Sequence, residues 1–416
     1  MFHTENSSIF SSRKDVLSIF QAGVSAADPY QAVKNCLHVD DHQLELRLDL
    51  KDKTNTRKGT WSKVHLIAFG KAACAMAKAA QEIIPSHLQS TTGIAVTNYE
   101  NVVAVEHIEV IGASHPLPDQ TGLNAAKKCA GLITLAQENE LVLVLVSGGG
   151  SALIPYPADS ISLQEKIATT DLLLACGATI NEINCVRKHL SLLKGGGLTR
   201  LAVPADLHTF ILSDVLGDDL SVIASGPTIP DSSTYADAIN VFKDQNIWDK
   251  VPTKVQQHLE KGLAGKTKET PKPGDNVFKN TTYTLIGSNA ISLNAALMTA
   301  KLLGYQAHLY NTHLCGEARN VAEQWVRYAK TILYKGINKP MAFLAGGETT
   351  VTLKGNGRGG RNQEMVLAFA IAAEQLELNC NWTFLSGGTD GIDGPTDATG
   401  GIADNGTLKR MIHAGI

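Results

Sequence analysis

Short apolar runs, each closed by glycine or a small polar residue, recur along this chain. The densest is LVLVLV at 141–146, followed by Ser147-Gly148-Gly149-Gly150-Ser151. Uninterrupted Leu-Val alternation predicts a strand buried on both faces, as found inside a parallel sheet covered by helices. Further strands are predicted at 64–69, 93–97, 108–111, 208–213, 283–287, 306–310, 341–345, 350–353 and 382–385. Helical patterns fall between them at 72–84, 120–136, 163–176, 181–194, 252–260, 290–303, 316–334 and 365–373. Strand and helix alternate, which is the signature of an α/β fold. Two segments break the rhythm. Residues 13–37 predict two amphipathic helices interrupted at Asp28-Pro29, with Leu17, Phe20, Val24, Val33 and Leu37 as the buried stripe. Residues 231–280 are polar and weakly periodic, and predict a peripheral excursion and linker.

Length and composition narrow the class. A chain of 416 residues with 44% hydrophobic residues supports two domains with sizeable cores. The net charge of −3 predicts no nucleic acid or anionic membrane as partner, leaving small molecules. Seven cysteines without a CxxC pair fit a reduced, cytoplasmic setting, and no zinc motif occurs. The N-terminus carries Glu5 and Asp15 and fits neither a secretory signal nor an acid-free transit peptide, although a mitochondrial location stays open. No apolar run is long enough to span a membrane.

Candidate chemistry collects at the ends of the predicted strands, where a ligand crevice is expected in such folds. In the 147–151 turn, missing side chains let Gly148, Gly149 and Gly150 bring backbone N–H groups to an anion, while Ser147 and Ser151 add hydroxyls. Lys71 follows the strand 64–69 at the start of a helix, where a cation is unfavourable unless an anion offsets it. His115 lies in the stiff turn Ser114-His115-Pro116, as either a ligand donor or a turn residue. Arg187 shares a polar helical face with Asn184 and Ser191, suited to a phosphate or carboxylate or simply to solvent. Asp214 sits just after a strand, the usual place of a magnesium ligand or base. Glu348 follows Gly346-Gly347 and either binds a metal or pairs with an arginine.

The loop 354–364 satisfies GxGxxG formally, but its preceding strand is very short, and Arg358 and Arg361 favour a terminal phosphate or carboxylate over a pyrophosphate. Last, Asp390, Asp393 and Asp397 fall among glycines in 386–397, without the helix and closing glutamate of an EF-hand.

Taken together, GGGSAL at 148–153, NCVRKHLSLLKGGGL at 184–198, SDVLGDDLSVIASGPT at 213–228, GGETTVTLKGNGRGGRNQE at 346–364 and SGGTDGIDGPTDATGG at 386–401 resemble type 2 glycerate kinases. The C-terminal half of that family is called the MOFRL domain. The resemblance implies a Rossmann-like N-terminal domain with a mainly parallel sheet, here 1–270, and a smaller C-terminal α/β domain, here 281–416, with the active site in the cleft between them. It implies ATP-dependent phosphorylation of D-glycerate to 2-phosphoglycerate, less readily to 3-phosphoglycerate. Lys71 of AFGKAA and Arg361 of GGRNQE are then expected to be catalytic or substrate-anchoring. Family members continue past IADNGTLKRM, whereas this sequence stops at Ile416, so the C-terminal domain is expected to be truncated.

Phosphoryl transfer asks mainly for positioning and charge neutralisation. Residues 147–151 are expected to hold nucleotide phosphates, with Asp214 and Asp390 placing Mg²⁺. Lys71, Arg361 and Arg187 would neutralise the phosphoryl group or grip the carboxylate, with His115 as a further substrate contact. Asp214, Asp390 and Asp393 are the alternatives for the base. A sugar-acid phosphate hydrolase or isomerase, or an inactive regulatory isoform, are the rival readings; a homodimer is left open.

Overall fold

A computed structural model describes residues 2–40, 43–90, 93–158, 160–334, 336 and 339–415. The chain forms two compact units, Asp28–Ser288 and Met1–Ala27 together with Asn289–Ile416.

The larger unit begins with a three-stranded antiparallel sheet, β1 (Leu37–Asp40), β2 (Gln43–Arg47) and β3 (Thr56–Gly59). Six parallel strands follow: β4 (Val64–Phe69), β5 (Gly93–Asn98), β6 (Ile108–Ala113), β7 (Leu141–Val146), β8 (Asp206–Leu212) and β9 (Thr281–Gly287). They are ordered β6-β5-β4-β7-β8-β9. Counted within this sheet, that is the 3-2-1-4-5-6 order of dinucleotide-binding folds.

The apolar run at β7 lies at its centre, buried throughout. Its leucines and valines separate onto opposite faces because side chains alternate along a strand. Leu141, Leu143 and Leu145 join Met76, Ala77 and Ala80 of helix Ala73–Ile83, whereas Val142, Val144 and Val146 join Ala126, Cys129 and Ile133 of helix Gln120–Ile133. Burying each such side chain stabilises the fold by about 1.5–3 kcal/mol. The pairing of Phe69 with Val146 puts the loops after β4 and β7 side by side. This is the switch point of the sheet, where ligands bind in open α/β folds.

Residues 231–280 are more ordered than a linker. Helices Tyr235–Asp244 and Thr253–Leu263 pack with Leu163–Ala175 and Ile180–His189 around Phe242, Val255 and Leu259, all fully buried. Tyr235, Ala238, Ile239 and Phe242 already follow helical spacing.

In the second unit, helix Phe2–Ala26 lies against Asn289–Leu302, with Gly23 close enough that a Cβ there would stand 3.2 Å from the Ser292 carbonyl. Its buried face centres on Ile19, while Leu17 of the expected stripe is 43% exposed. This helix therefore groups with residues 289–416 rather than with 28–288, and β9 belongs to the large sheet. β10 (Gln306–Glu317) pairs in parallel with β11 (Met341–Thr350), and β12 (Thr383–Gly387) pairs antiparallel with β13 (Gly400–Asp404). The turn expected at Gly346-Gly347 is absent, because β11 runs through it. Gly347, at φ +153°, lies so close to β10 that a Cβ would stand 2.1 Å from the Leu314 carbonyl oxygen. Trp325, Phe369 and Phe384 centre this unit's core.

Among the described residues no helix is long and apolar enough to cross a membrane. The seven cysteines are unbridged, and burial pushes the Cys36 and Cys129 thiols up to about 12.

Candidate active site

The switch point brings together groups that are far apart in sequence. The Lys71 N–H donates to the Gly148 carbonyl at 2.8 Å, the Ala72 N–H to Ser147 Oγ at 3.0 Å, and the Ser147 N–H to the Phe69 carbonyl at 3.0 Å. The loops after β4 and β7 are thereby stitched into one surface. Gly70, at φ +123°, has no room for a side chain, since a Cβ would meet Ser147 Oγ at 2.2 Å. Asn101 Nδ2 and Thr97 Oγ1 donate to the Lys71 carbonyl at 3.0 and 3.3 Å, fixing the backbone from which the exposed Lys71 side chain projects.

The glycines of the turn are packed against chemistry-bearing side chains. A Cβ on Gly148 would stand 2.0 Å from Asp214 Oδ2, so the aspartate after β8 lies directly on the turn. A Cβ on Gly149, at φ +82°, would stand 3.1 Å from His115 Nε2 and 3.4 Å from Lys71 Cγ. Lys71, His115 and Asp214 therefore surround Gly148 and Gly149. Burial lowers the His115 pKa and the Lys71 cation lowers it further, against the opposing pull of Asp214 and Glu100.

The far end of the turn meets a second layer. Ser151 Oγ is 3.2 Å from Ser225 Oγ, which donates to Asn184 Oδ1 at 2.9 Å. Lys194 Nζ donates to Ser151 Oγ at 2.8 Å and to the Ser151 and Ala224 carbonyls at 3.1 and 3.2 Å. Ala224, Ser225 and Gly226 occupy the left-handed region in succession, at φ +50°, +61° and +59°. Two consecutive non-glycine residues there store strain, as functional sites often do. Lys194 was expected on a helix running to residue 194, but the helix ends at His189 and the following turn carries Lys194 inward. Arg187 is half-buried on the same helix as Asn184.

The second unit carries its own group of expected residues. Arg361 is the first residue of helix Arg361–Gln375, and its Nη1 pairs with Glu348 Oε1 at 2.9 Å, the arginine partnership among the two expected for Glu348. What starts that helix is Asp393. Its carboxylate accepts from the Asn362 and Gln363 N–H groups at 3.0 and 2.9 Å, and from Asn362 Nδ2 and Gln363 Nε2 at 3.0 and 3.1 Å. Burial opposes its ionisation, yet these bonds hold its pKa below the usual carboxylate range. Asp393 is thus a helix cap supplied from a segment distant in sequence. Asp390 is exposed, its Oδ1 3.4 Å from the Ile392 N–H.

Among the described residues no three or more His, Cys, Asp or Glu side chains gather as a metal cage. One carboxylate beside a phosphate-sized turn still suits Mg²⁺, which usually takes one or two carboxylates and completes its shell with phosphate oxygens and water.

Comparison with known proteins identifies this assembly. Residues 15–260 match a domain of unknown function (DUF4147), and residues 341–416 match the MOFRL family. A glycerate 2-kinase from Pyrococcus horikoshii is 41% identical over 403 residues, covering 96% of this chain and 87% of its own. The chain belongs to the MOFRL family of glycerate kinases. A D-glycerate 2-kinase from Thermotoga maritima is 39% identical, with 96% of this chain and 88% of that protein aligned. The crystal structure of a glycerate kinase from Thermotoga maritima superposes with a TM-score of 0.81 at 37% identity, over 97% of this chain and 90% of that one.

Within this family frame, the fold gathers Lys71, His115, Ser147, Gly148, Gly149 and Asp214 at one end of the switch-point turn. Gly150 and Ser151 lead to the Lys194, Ser225 and Asn184 layer. Arg361 and Asp390 belong to the other unit. The sequence offered Ser225 only as part of a polar turn and Lys194 only as one of several basic residues, because neither their burial nor the left-handed conformation at 224–226 has a local signature. The one available signal was the excess of basic residues between Arg187 and Lys194.

Proposed function

We propose that this chain transfers the γ-phosphoryl group of ATP to the 2-hydroxyl of D-glycerate, giving 2-phosphoglycerate and ADP. The observation that carries the reading is the convergence of Lys71, His115 and Asp214 on the Gly148-Gly149 turn at the switch point of the sheet. The names of its relatives support the substrate.

In this reading the turn from Ser147 to Ser151 holds nucleotide phosphates, and Asp214, with Asp390 as the second candidate, would hold Mg²⁺. When bound, that ion neutralises the charge of the phosphate oxygens. The glycerate hydroxyl oxygen attacks the γ-phosphorus, the bond to the β–γ bridging oxygen breaks, and ADP departs with that electron pair. The hydroxyl proton passes to a base, for which Asp214 is the carboxylate seated on the turn. Lys71 and Arg361 neutralise the phosphoryl group or hold the glycerate carboxylate, and Glu348 orients Arg361 through their ion pair. His115, beside Lys71 at Gly149, is a further substrate contact.

Phosphorus-31 NMR of the full chain with Mg-ATP and D-glycerate is expected to show ADP and 2-phosphoglycerate appearing together. A 3-phosphoglycerate signal would correct the position of transfer. ATP left intact in the presence of D-glycerate would defeat the reading.

A further inference from the structure

Lys166, Arg187 and Lys194 form a recessed cationic cluster. Arg187 lies near enough to repel both lysines and Lys166 near enough to repel Lys194, and among the described residues none of the three has a carboxylate within ion-pair distance. Lys166 and Lys194 are only 6% and 3% exposed. Buried cations in proteins are ordinarily matched, because desolvation is expensive without a counter-charge. The neighbouring residue illustrates the matched case: Lys188 lies 3.3 Å from the buried Asp231 carboxylate. Among the described residues Lys194 instead donates to Ser151 and to the Ala224 carbonyl, and Lys166 Nζ to the Leu190 carbonyl at 3.2 Å.

A second observation points the same way. Asn184 is 4% exposed and its Oδ1 is engaged by Ser225, but its buried Nδ2 has no acceptor among the described residues. Asn184 and Arg187 are three residues apart on one helix, hence neighbours on its surface. An orphaned amide donor beside a surplus of positive charge describes a place built for an anion. Arg187 and Ser151 remain partly exposed, which gives these groups an accessible mouth.

We propose that Arg187, Lys194 and the Asn184 amide form a recessed carboxylate subsite at the Ser151 end of the glycine turn, with Lys166 supporting its field. It would take the carboxylate of the hydroxy-acid substrate. A guanidinium fork beside an amide donor matches two coplanar oxygens better than a phosphate tetrahedron. The opposite end of the turn carries Lys71, His115 and Asp214, so the subsite would anchor the acid while its hydroxyl reaches toward them. Burial, and then repulsion among the three, hold Lys166 down to about 7 and Lys194 well below its ordinary range, and such an anion would offset both by favouring the charged forms. The inference rests on the kinase reading given above.

The test uses the full chain and two readouts, equilibrium binding of D-glycerate by calorimetry and steady-state ADP formation. Arg187→Gln and Lys194→Met are each expected to weaken D-glycerate binding by about tenfold or more while the KM for ATP moves by less than about threefold, the scale of one charge-assisted hydrogen bond. Asn184→Asp places a carboxylate among the cations; it should raise the Tm of the unliganded protein and abolish D-glycerate binding. If Lys194→Met fails to fold, the half-buried Arg187→Gln still decides. Active wild type whose folded variants bind D-glycerate normally, or change only the KM for ATP, overturns the subsite and leaves the kinase reading intact. Wild type that neither binds D-glycerate nor forms ADP overturns both.

Discussion

Two glycine-rich turns follow strands in this chain, one after β7 in the larger unit and one after β12 in the smaller. In sequence they share the same texture, small residues punctuated by serine or aspartate. Their physics differs. After β7 the glycines are packed, because Asp214 stands where a Cβ on Gly148 would be, His115 and Lys71 line Gly149, and Phe69 lines Gly150. After β12 Gly391 opens on empty space while Gly388 and Gly394 face the turn's own Asp390 and Ile392 and the Gly359 carbonyl, and Asp393, the most buried of that turn's acids, serves to cap the helix that presents Arg361. One turn is built of chemistry; the other largely supports a residue elsewhere. Glycine density alone does not separate the two, whereas the atoms a Cβ would displace do.

The sharpest way to break this comparison is Gly148→Ala. The added methyl must displace Asp214, so turnover is expected to fall about a hundredfold or more, the scale of a misplaced reacting group. Stability should fall by about 1–3 kcal/mol, as for overpacking. Gly391→Ala is the control in the turn after β12: nothing lies within 4 Å of a Cβ there, so turnover should be unchanged, and only the strain of its φ of +87°, about 1–2 kcal/mol, should register. Equal effects at both positions, by steady-state kinetics and denaturant unfolding, would remove the distinction.

Next in size is Asp393→Ala. It strands the donors of Asn362 and Gln363 at a buried helix start and is expected to cost about 2–4 kcal/mol in urea unfolding. A loss of activity without a loss of stability would instead point to Asp393 as the base.

The fold was legible to the extent that it rested on local periodicity. β4, β7 and the helix after β4 are visible in the sequence, the strands in runs such as VHLIAF and LVLVLV, because a strand buried on both faces has no polar alternation to obscure it. The N-terminal helix was legible as a helix but not in its place, since its packing on Asn289–Leu302 joins segments far apart in the chain. Lys71, Ser147 and Asp214 could be found because each lies immediately past a strand. Asp393 was visible as an acid but not as a cap, and Lys194 as a cation but not as a buried one, because both roles depend on partners distant in sequence.

Smaller effects sharpen the same contrast. Glu348→Gln removes an exposed ion pair and should change stability by less than about 1 kcal/mol, while loosening Arg361 enough to lower turnover severalfold. If turnover is unchanged, Arg361 does not depend on that pair for its position.

A charge pair with a structural role also gives a pH signature. Burial disfavours the charged form of His189, but the Cys185 carbonyl and the Glu269 carboxylate overcome it and raise the pKa to about 9. A raised histidine contributes stability that is fully present below its ordinary value of 6.5 and is lost as pH rises through about 9. Tm should therefore decline across that alkaline window, and Glu269→Gln should flatten the decline. An unchanged slope in the variant would exclude the pair as its source.

The central claim is that the turn after β7, with Lys71 and Asp214 upon it, carries phosphoryl transfer. Single-turnover formation of ADP from Mg-ATP and D-glycerate, comparing wild type with Lys71→Ala after each is confirmed folded by circular dichroism, tests it most directly. The account predicts a D-glycerate-dependent burst of ADP in the wild type and a rate at least about a hundredfold lower in the variant. Equal rates in both would contradict it.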